Sequence, residues 1–181
     1  MTPEAYLEQE RRAEFRSEYY QGETFAMADA SRRHSLIVTN IVAELSAQLK
    51  GTPCEVHSKD LRLRVQPARF FTYPDVLVIC GDLQFADDQK DTVLNPVLIV
   101  EVLSPSTQDY DRGRKFEMYR KLQSFREYLT VSQDEPRIEH HTRIASHRWE
   151  MVEVEDRTAV LELCSIGCTL PLSEIYDKVV W

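Results

Sequence analysis

Asp75, Glu101 and Lys115 are the residues whose surroundings point to chemistry. Glu101 lies in VLIVEV, residues 97–102, where five of six positions are apolar and four are β-branched. That pattern belongs to a strand buried on both faces. An ionised carboxylate stays in such a strand only with a partner. Asp75 opens a second apolar run, DVLVIC, directly after Pro74, and proline is tolerated at a strand's first position. Lys115 lies in DRGRKFEMYRKL. With Tyr119 and Leu122 it follows the i, i+4, i+7 spacing of one helix face, Phe116 beside them, while Arg112, Glu117, Arg120 and Lys121 turn elsewhere. Two carboxylates on adjacent apolar strands repel each other. A divalent cation with oxygen ligands resolves both problems, and Mg2+ takes one or two carboxylates plus water and substrate phosphate. An ammonium nearby can stabilise hydroxide or the charge developing on phosphorus. The chemistry implied is metal-assisted hydrolysis of a phosphodiester.

Each residue also has a plainer role open to it. Glu101 could pair with a lysine or arginine and no metal, Asp75 could be a polar cap at a strand edge, and Lys115 could snorkel from a core face. His34 could cap a helix and Glu18 could be a cross-strand partner. Asp111 reads as a helix N-cap, Ser104, Ser106 and Thr107 as turn formers, and Tyr119 as core. His140, His141 and His147 read as surface residues, because consecutive strand positions point opposite ways.

The elements that would position these residues follow from pattern. TPE gives an N-cap threonine and a first-turn proline for a helix over 3–15. RSEYYQGETFAMA, residues 16–28, reads as a hairpin turning near Gly22. Leu36, Ile37, Ile41, Leu45 and Leu49 mark an amphipathic helix over 35–50, stopped by Gly51 and Pro53. Strands are expected at 59–65, with leucine and valine on one side and Asp60, Arg62 and Arg64 on the other, and at 75–80, 97–102 and 127–131. A helix is expected over about 111–122. Further strand-like segments come at RIEHHTR, HRWEMVEVE and TAVLEL, and a short helix at LSEIYD. Helix, three strands, helix, strand is an α/β order with β additions at both ends.

These motifs, in this order, resemble the Uma2 family (DUF820), nucleases of the PD-(D/E)xK superfamily. The matching residues are Pro74-Asp75, Glu101 with Ser104-Pro105-Ser106-Thr107, and Asp111-Arg112 with Lys115 and Tyr119. Glu18, Gly22, Met27 and His34 resemble the family's N-terminal E-x-x-D-G, M, H pattern. The resemblance runs over roughly residues 15–176. It implies an α/β restriction endonuclease-like core, α-β-β-β-α-β, with a mixed sheet flanked by helices, an added N-terminal hairpin and added C-terminal strands. It implies that Asp75 and Glu101 hold one or two Mg2+, with Mn2+ as a substitute, and that the Val102 carbonyl is a further ligand. Lys115 would orient or acidify the attacking water, with Glu18 as outer acid and His34 as a phosphate or water contact. Three positions depart from the pattern. Leu103 stands where the superfamily's usual lysine would be, so the ammonium would come from Lys115 on the next helix. Gln21 replaces an aspartate before the hairpin glycine, and Ser124-Phe125 replaces a Gly-Val step.

The function expected is a Mg2+-dependent endonuclease acting on DNA, assembled as a homodimer from one domain over 1–181. The alternatives are a catalytically inactive nuclease-fold module that binds nucleic acid or protein, and a regulatory protein that binds another protein. The net charge of −8 argues against a tight electrostatic clamp on nucleic acid, although basic residues can still cluster locally. No apolar run approaches a membrane span, and the polar N-terminus does not read as a signal peptide; a cytoplasmic protein without a membrane partner is expected. The four cysteines suggest neither a zinc site nor a disulfide framework, and free thiols are expected.

Overall fold

The computed structural model describes residues 1–27 and 30–181. Thr2 caps α1 (Pro3–Glu10) by accepting a hydrogen bond from Ala5 N. The helix stops short of residue 15 because Glu10 turns to bind the N–H and hydroxyl of Ser17, where the next strand begins. That strand, β1 (Ser17–Tyr20), forms the expected hairpin with β2 (Glu23–Ala26). Gln21 and Gly22 make its two-residue turn, both at positive φ. Residue 28, the last of the expected hairpin stretch, lies outside the described residues. Helix α2 (Arg32–Gln48) starts earlier than its apolar pattern, because Ser31 caps it by accepting from His34 N. It buries Ile37, Ile41 and Leu45, each worth about 1.5–3 kcal/mol of transfer free energy.

The remaining strands are β3 (Cys54–Ser58), β4 (Arg62–Val65), β5 (Phe70–Thr72), β6 (Val76–Cys80), β7 (Thr92–Val93), β8 (Leu98–Leu103), β9 (Glu127–Ser132), β10 (Ile138–Ala145), β11 (Arg148–Val154), β12 (Val160–Leu163) and β13 (Cys168–Pro171). The central sheet has the order β11-β10-β9-β8-β6-β3. Its β6–β8 pair is antiparallel and its β8–β9 pair parallel. The sequence α2, β3, β6, β8, helix, β9 is the α-β-β-β-α-β core on a mixed sheet. A second sheet, β2-β1-β5-β4-β7, carries the hairpin, and β12–β13 pair separately before α5 (Leu172–Ile175).

The helix between β8 and β9 comes in three consecutive pieces: α3 (Gln108–Tyr110), a wider π-helical stretch (Asp111–Lys115) and α4 (Phe116–Tyr119). Asp111 is therefore not the N-cap: Thr107 holds that position and Asp111 is buried inside the helix. Single π turns concentrate at functional sites.

Strand period explains what each face of β8 meets. Leu98, Val100 and Val102 pack with α2 and the C-terminal elements, and Ile99 packs with Met118, Tyr119 and Tyr128 on the opposite side. Glu101 shares the parity of Ile99, so it faces the α3–α4 helix.

Two further expectations are corrected, for the cysteines and for the histidines of β10. Cys54 and Cys80 are joined as a disulfide, because β3 and β6 set them directly opposite one another; Cys164 and Cys168 are free. Arg62, on the polar side of its strand, is buried, donating to Tyr73 Oη at 2.7 Å and Thr92 Oγ1 at 3.0 Å. The alternation of KDLRLRV gives no sign that its polar side is roofed by these groups. His140 and His141 are not surface residues: β10 lies between β9 and β11, so His140 Nε2 sits 2.9 Å from Glu127 Oε1 and His141 lies against the Phe116 ring.

Glu127, at the head of β9, is buried and also accepts from Ser165 N at 3.0 Å. Burial alone would raise its pKa, but the hydrogen bonds from His140 and Ser165 hold it below the ordinary glutamate value of 4.5. Stability from this carboxylate is present above the unfolded-state pKa and is lost as pH falls through the lower folded one. Glu127→Gln is expected to destabilise the protein by about 1–3 kcal/mol at pH 7. In urea titrations the gap to wild type should close below about pH 4.

Candidate active site

The acidic pair is a product of strand register. In the β6–β8 pair Val76 stands opposite Val100. One step further along the same antiparallel register brings Asp75 opposite Glu101, on the helix-facing side. The backbone closes the pair: Val102 N donates to Asp75 Oδ2 at 2.8 Å, and Asp75 N lies 3.4 Å from Glu101 Oε2. His34, in the first turn of α2, brings Nε2 within 3.0 Å of the same Asp75 oxygen.

Lys115 stands over the pair. Its Nζ lies 3.3 Å from Glu101 Oε1, 3.1 Å from Glu18 Oε1 and 3.2 Å from Asp111 Oδ1. Tyr119, one turn on, donates to Glu101 Oε1 at 2.7 Å. Glu18 arrives from the other sheet, where the β1–β5 register sets it beside Thr72. Thr72 Oγ1 donates to Glu18 Oε1 at 2.5 Å and Tyr110 Oη to its Oε2 at 2.9 Å. Tyr73 and Pro74 link β5 directly to β6, so one stretch of chain holds both sheets to the site.

Charge is out of balance here. Four buried carboxylates, Glu18, Asp75, Glu101 and Asp111, face one buried ammonium. Burial pushes the Glu101 carboxyl up to about 8, against the pull of Lys115 and with the help of Asp111 and Asp75. Burial likewise raises Asp111. Lys115 moves the other way from its burial: desolvation alone would lower it, but the surrounding oxygens, Glu101 foremost, hold it well above the ordinary lysine value. The cluster needs further positive charge, and in its absence Glu101 keeps a proton to a higher pH than an ordinary glutamate.

A cleft of about 530 Å³ opens onto these groups. Its rim carries Lys59, Arg114, Ser104, Ser106 and Thr107. Among the described residues no three His, Cys, Asp or Glu side chains converge as a ready-made metal cage. The donor set is still suited to a hard cation: all oxygen, with the two opposed carboxylates at its centre. The hydrogen bonds to Asp75 go to Oδ2, so among the described residues its Oδ1 is uncommitted. Peptide N–H and C=O of one strand residue point to the same side, so the Val102 carbonyl is directed toward Asp75 with the N–H that binds it. Mg2+ commonly takes only one or two carboxylates and fills its remaining positions with water and phosphate.

All of Asp75, Glu101, Lys115, Glu18 and His34 line this one cleft, and Val102 enters it through its backbone while its side chain goes to the α2 side. Sequence reasoning left out Asp111, Tyr110 and Thr72, and took Tyr119 only as core. The i, i+4 spacing of Asp111 and Lys115 was the available signal. Tyr119 is fully buried as expected, but its hydroxyl ends on Glu101.

The chain matches the model of the Uma2 family, described as "Putative restriction endonuclease", over residues 3–173. Two uncharacterized proteins of Synechocystis sp. are similar along most of their length. One, sll1609, is 33% identical over 90% of this chain and 92% of its own. The other, slr1290, is 35% identical over 97% and 91%. Among solved structures, a DUF820 protein of Anabaena variabilis, titled a "putative nuclease", superposes with a TM-score of 0.79 over 99% of both chains at 16% identity. That likeness concerns the fold.

Removing the ammonium should expose the charge imbalance. Lys115→Met leaves Glu18, Glu101 and Asp111 facing one another without their cation, and is expected to destabilise the protein by about 3–5 kcal/mol. Chemical denaturation in EDTA at pH 8 measures this. Millimolar Mg2+ should recover part of the loss.

Proposed function

The chain belongs to the Uma2 family, and from that premise we propose that it is a Mg2+-dependent endonuclease hydrolysing phosphodiester bonds in DNA. One observation carries the reading: two carboxylates are opposed by strand register at the floor of a cleft, with a buried ammonium 3.3 Å from one of them.

In this reading Asp75, Glu101 and the Val102 carbonyl would hold Mg2+, with Mn2+ as a substitute. A divalent ion bound there supplies Lewis acidity, lowering the pKa of a water and polarising a phosphoryl oxygen. The protein's own residues do the positioning. Lys115 keeps its proton at Nζ because of the oxygens around it, so it acts as a fixed positive charge and donor for the attacking water. Tyr119 and Lys115 together hold Glu101 Oε1 in place and leave Oε2 the less committed oxygen. His34 orients Asp75 through Oδ2 and presents its ring at the cleft for a phosphate or water. Glu18 sets the position of the Lys115 ammonium from the other sheet. Fixed donors and charges of this kind lower the barrier because they need no rearrangement during the reaction. A homodimer, with one site for each strand of a duplex, completes the proposal.

The three ion pairs of Lys115 favour a second reading, in which the cluster is structural and the module binds nucleic acid without cutting it. Plasmid incubated with the protein and Mg2+ or Mn2+ separates the two. Cleavage is expected in wild type and is abolished by EDTA. Asp75→Asn, Glu101→Gln and Lys115→Met should each reduce the rate about 100-fold or more. Equal cleavage in all four proteins, or none in any, would remove the catalytic reading.

A further inference from the structure

Beyond the acidic cleft lies a larger groove of opposite character. It has a volume of about 910 Å³ and is formed where the chain leaves α4 and meets the β10–β11 turn. Arg120, Lys121, Arg126 and Arg143 line it, with Glu117 as its one carboxylate. Among the described residues none of these four cations forms an ion pair, whereas most other arginines of the chain do. A protein of net charge −8 thus gathers four uncompensated cations in one concavity.

The groove is built rather than incidental. Arg143 donates Nη1 to Leu122 O at 3.1 Å and Nη2 to Arg120 O at 2.5 Å, and its guanidinium lies over the Trp149 ring at 5.0 Å. Arg126 donates Nη1 to Gln123 O and Phe125 O. Those two arginines are fixed by backbone carbonyls of the chain that leaves the helix, from Arg120 to Phe125. Arg120 and Lys121 are exposed, and among the described residues neither side chain donates a hydrogen bond to an oxygen. Burial, and after it the positive neighbours Arg126 and Arg120, lower the pKa of Arg143.

The groove is joined to the acidic cleft by one helical run. Arg114, in its π-helical stretch, lines the cleft, and Glu117, in α4, lines the groove.

We propose that the Arg120–Lys121–Arg126–Arg143 groove is a phosphate-binding subsite that holds a nucleic acid backbone outside the acidic cleft. The proposal rests on the reading of the cleft as a site for nucleic acid, and it assigns the surface that offsets the protein's overall negative charge. Arg143 and Arg126 shape the groove; Arg120 and Lys121 make the contacts.

The test is fluorescence anisotropy with a labelled 20-base-pair DNA duplex in Ca2+ over a range of salt concentrations, alongside plasmid cleavage in Mg2+. The double variant Arg120→Glu, Lys121→Glu is compared with wild type and with Arg12→Glu, Lys178→Glu, which changes net charge equally at exposed positions elsewhere. The groove variant should bind at least tenfold more weakly, with a salt slope smaller by about two. Its melting temperature and Mn2+-induced thermal shift should match wild type. The control pair should change affinity by less than threefold. Equal effects of the two double variants, or no binding by wild type, would overturn the subsite. A nucleoside monophosphate should displace the duplex only at millimolar concentration; displacement at micromolar concentration would show a free-nucleotide site and also overturn it. The outcomes separate from those of the cleft. Weakened binding in the groove variant without any cleavage by wild type keeps the subsite and removes the nuclease reading. Unchanged binding with metal-dependent cleavage does the reverse.

Discussion

The antiparallel register of β6 and β8 is the constraint on which the rest depends. It sets Asp75 against Glu101 where a cleft opens. Like charges directly opposed on a sheet destabilise it, and burial makes the opposition worse. The fold answers with partners drawn from every side. Val102 N–H and His34 take Asp75, Tyr119 and Lys115 take Glu101, and Glu18 and Asp111 share the ammonium. Even so, the carboxylates outnumber the cations. The site is left with unmet negative charge at its centre, which apolar packing alone would not require.

The helix over the pair solves a geometric problem left by Leu103. That residue is buried, and β8 offers no ammonium of its own. The charge must therefore reach Glu101 from the neighbouring layer. The π-helical stretch from Asp111 to Lys115 widens the helix where it crosses the strand ends, with both members of an i, i+4 ion pair turned inward. Two aromatic layers keep the helix seated: Phe116 stacks on Tyr128 and Tyr119 packs edge-on against Phe125.

Much of this was legible in the residues and some of it was not. Continuous apolar runs marked β6, β8 and β9, and helical spacing marked α2, because long strongly patterned segments carry their own signal. The strands β3, β5, β7 and β13 did not, since they are held by neighbours rather than by pattern, and the expected strand at 59–65 supplies β4 of the second sheet while β3 takes the edge of the central one. Glu101 was identifiable as a charge in an apolar strand. Asp111 was misread because an aspartate near a helix start is usually a cap, and only the three-residue α3 ahead of it moves it inside. Alternation set Arg62 opposite the leucines but cannot say what roofs that side of the strand. Cys54 and Cys80 lie 26 residues apart, and only the β3–β6 register makes them neighbours.

The junction between the two sheets has a thermodynamic consequence. Glu18 sits on a hairpin strand of four residues, and its carboxylate shares one ammonium with Glu101 on the central sheet. Docking of the hairpin and the placement of the ammonium over Glu101 are therefore linked, through a single shared positive charge.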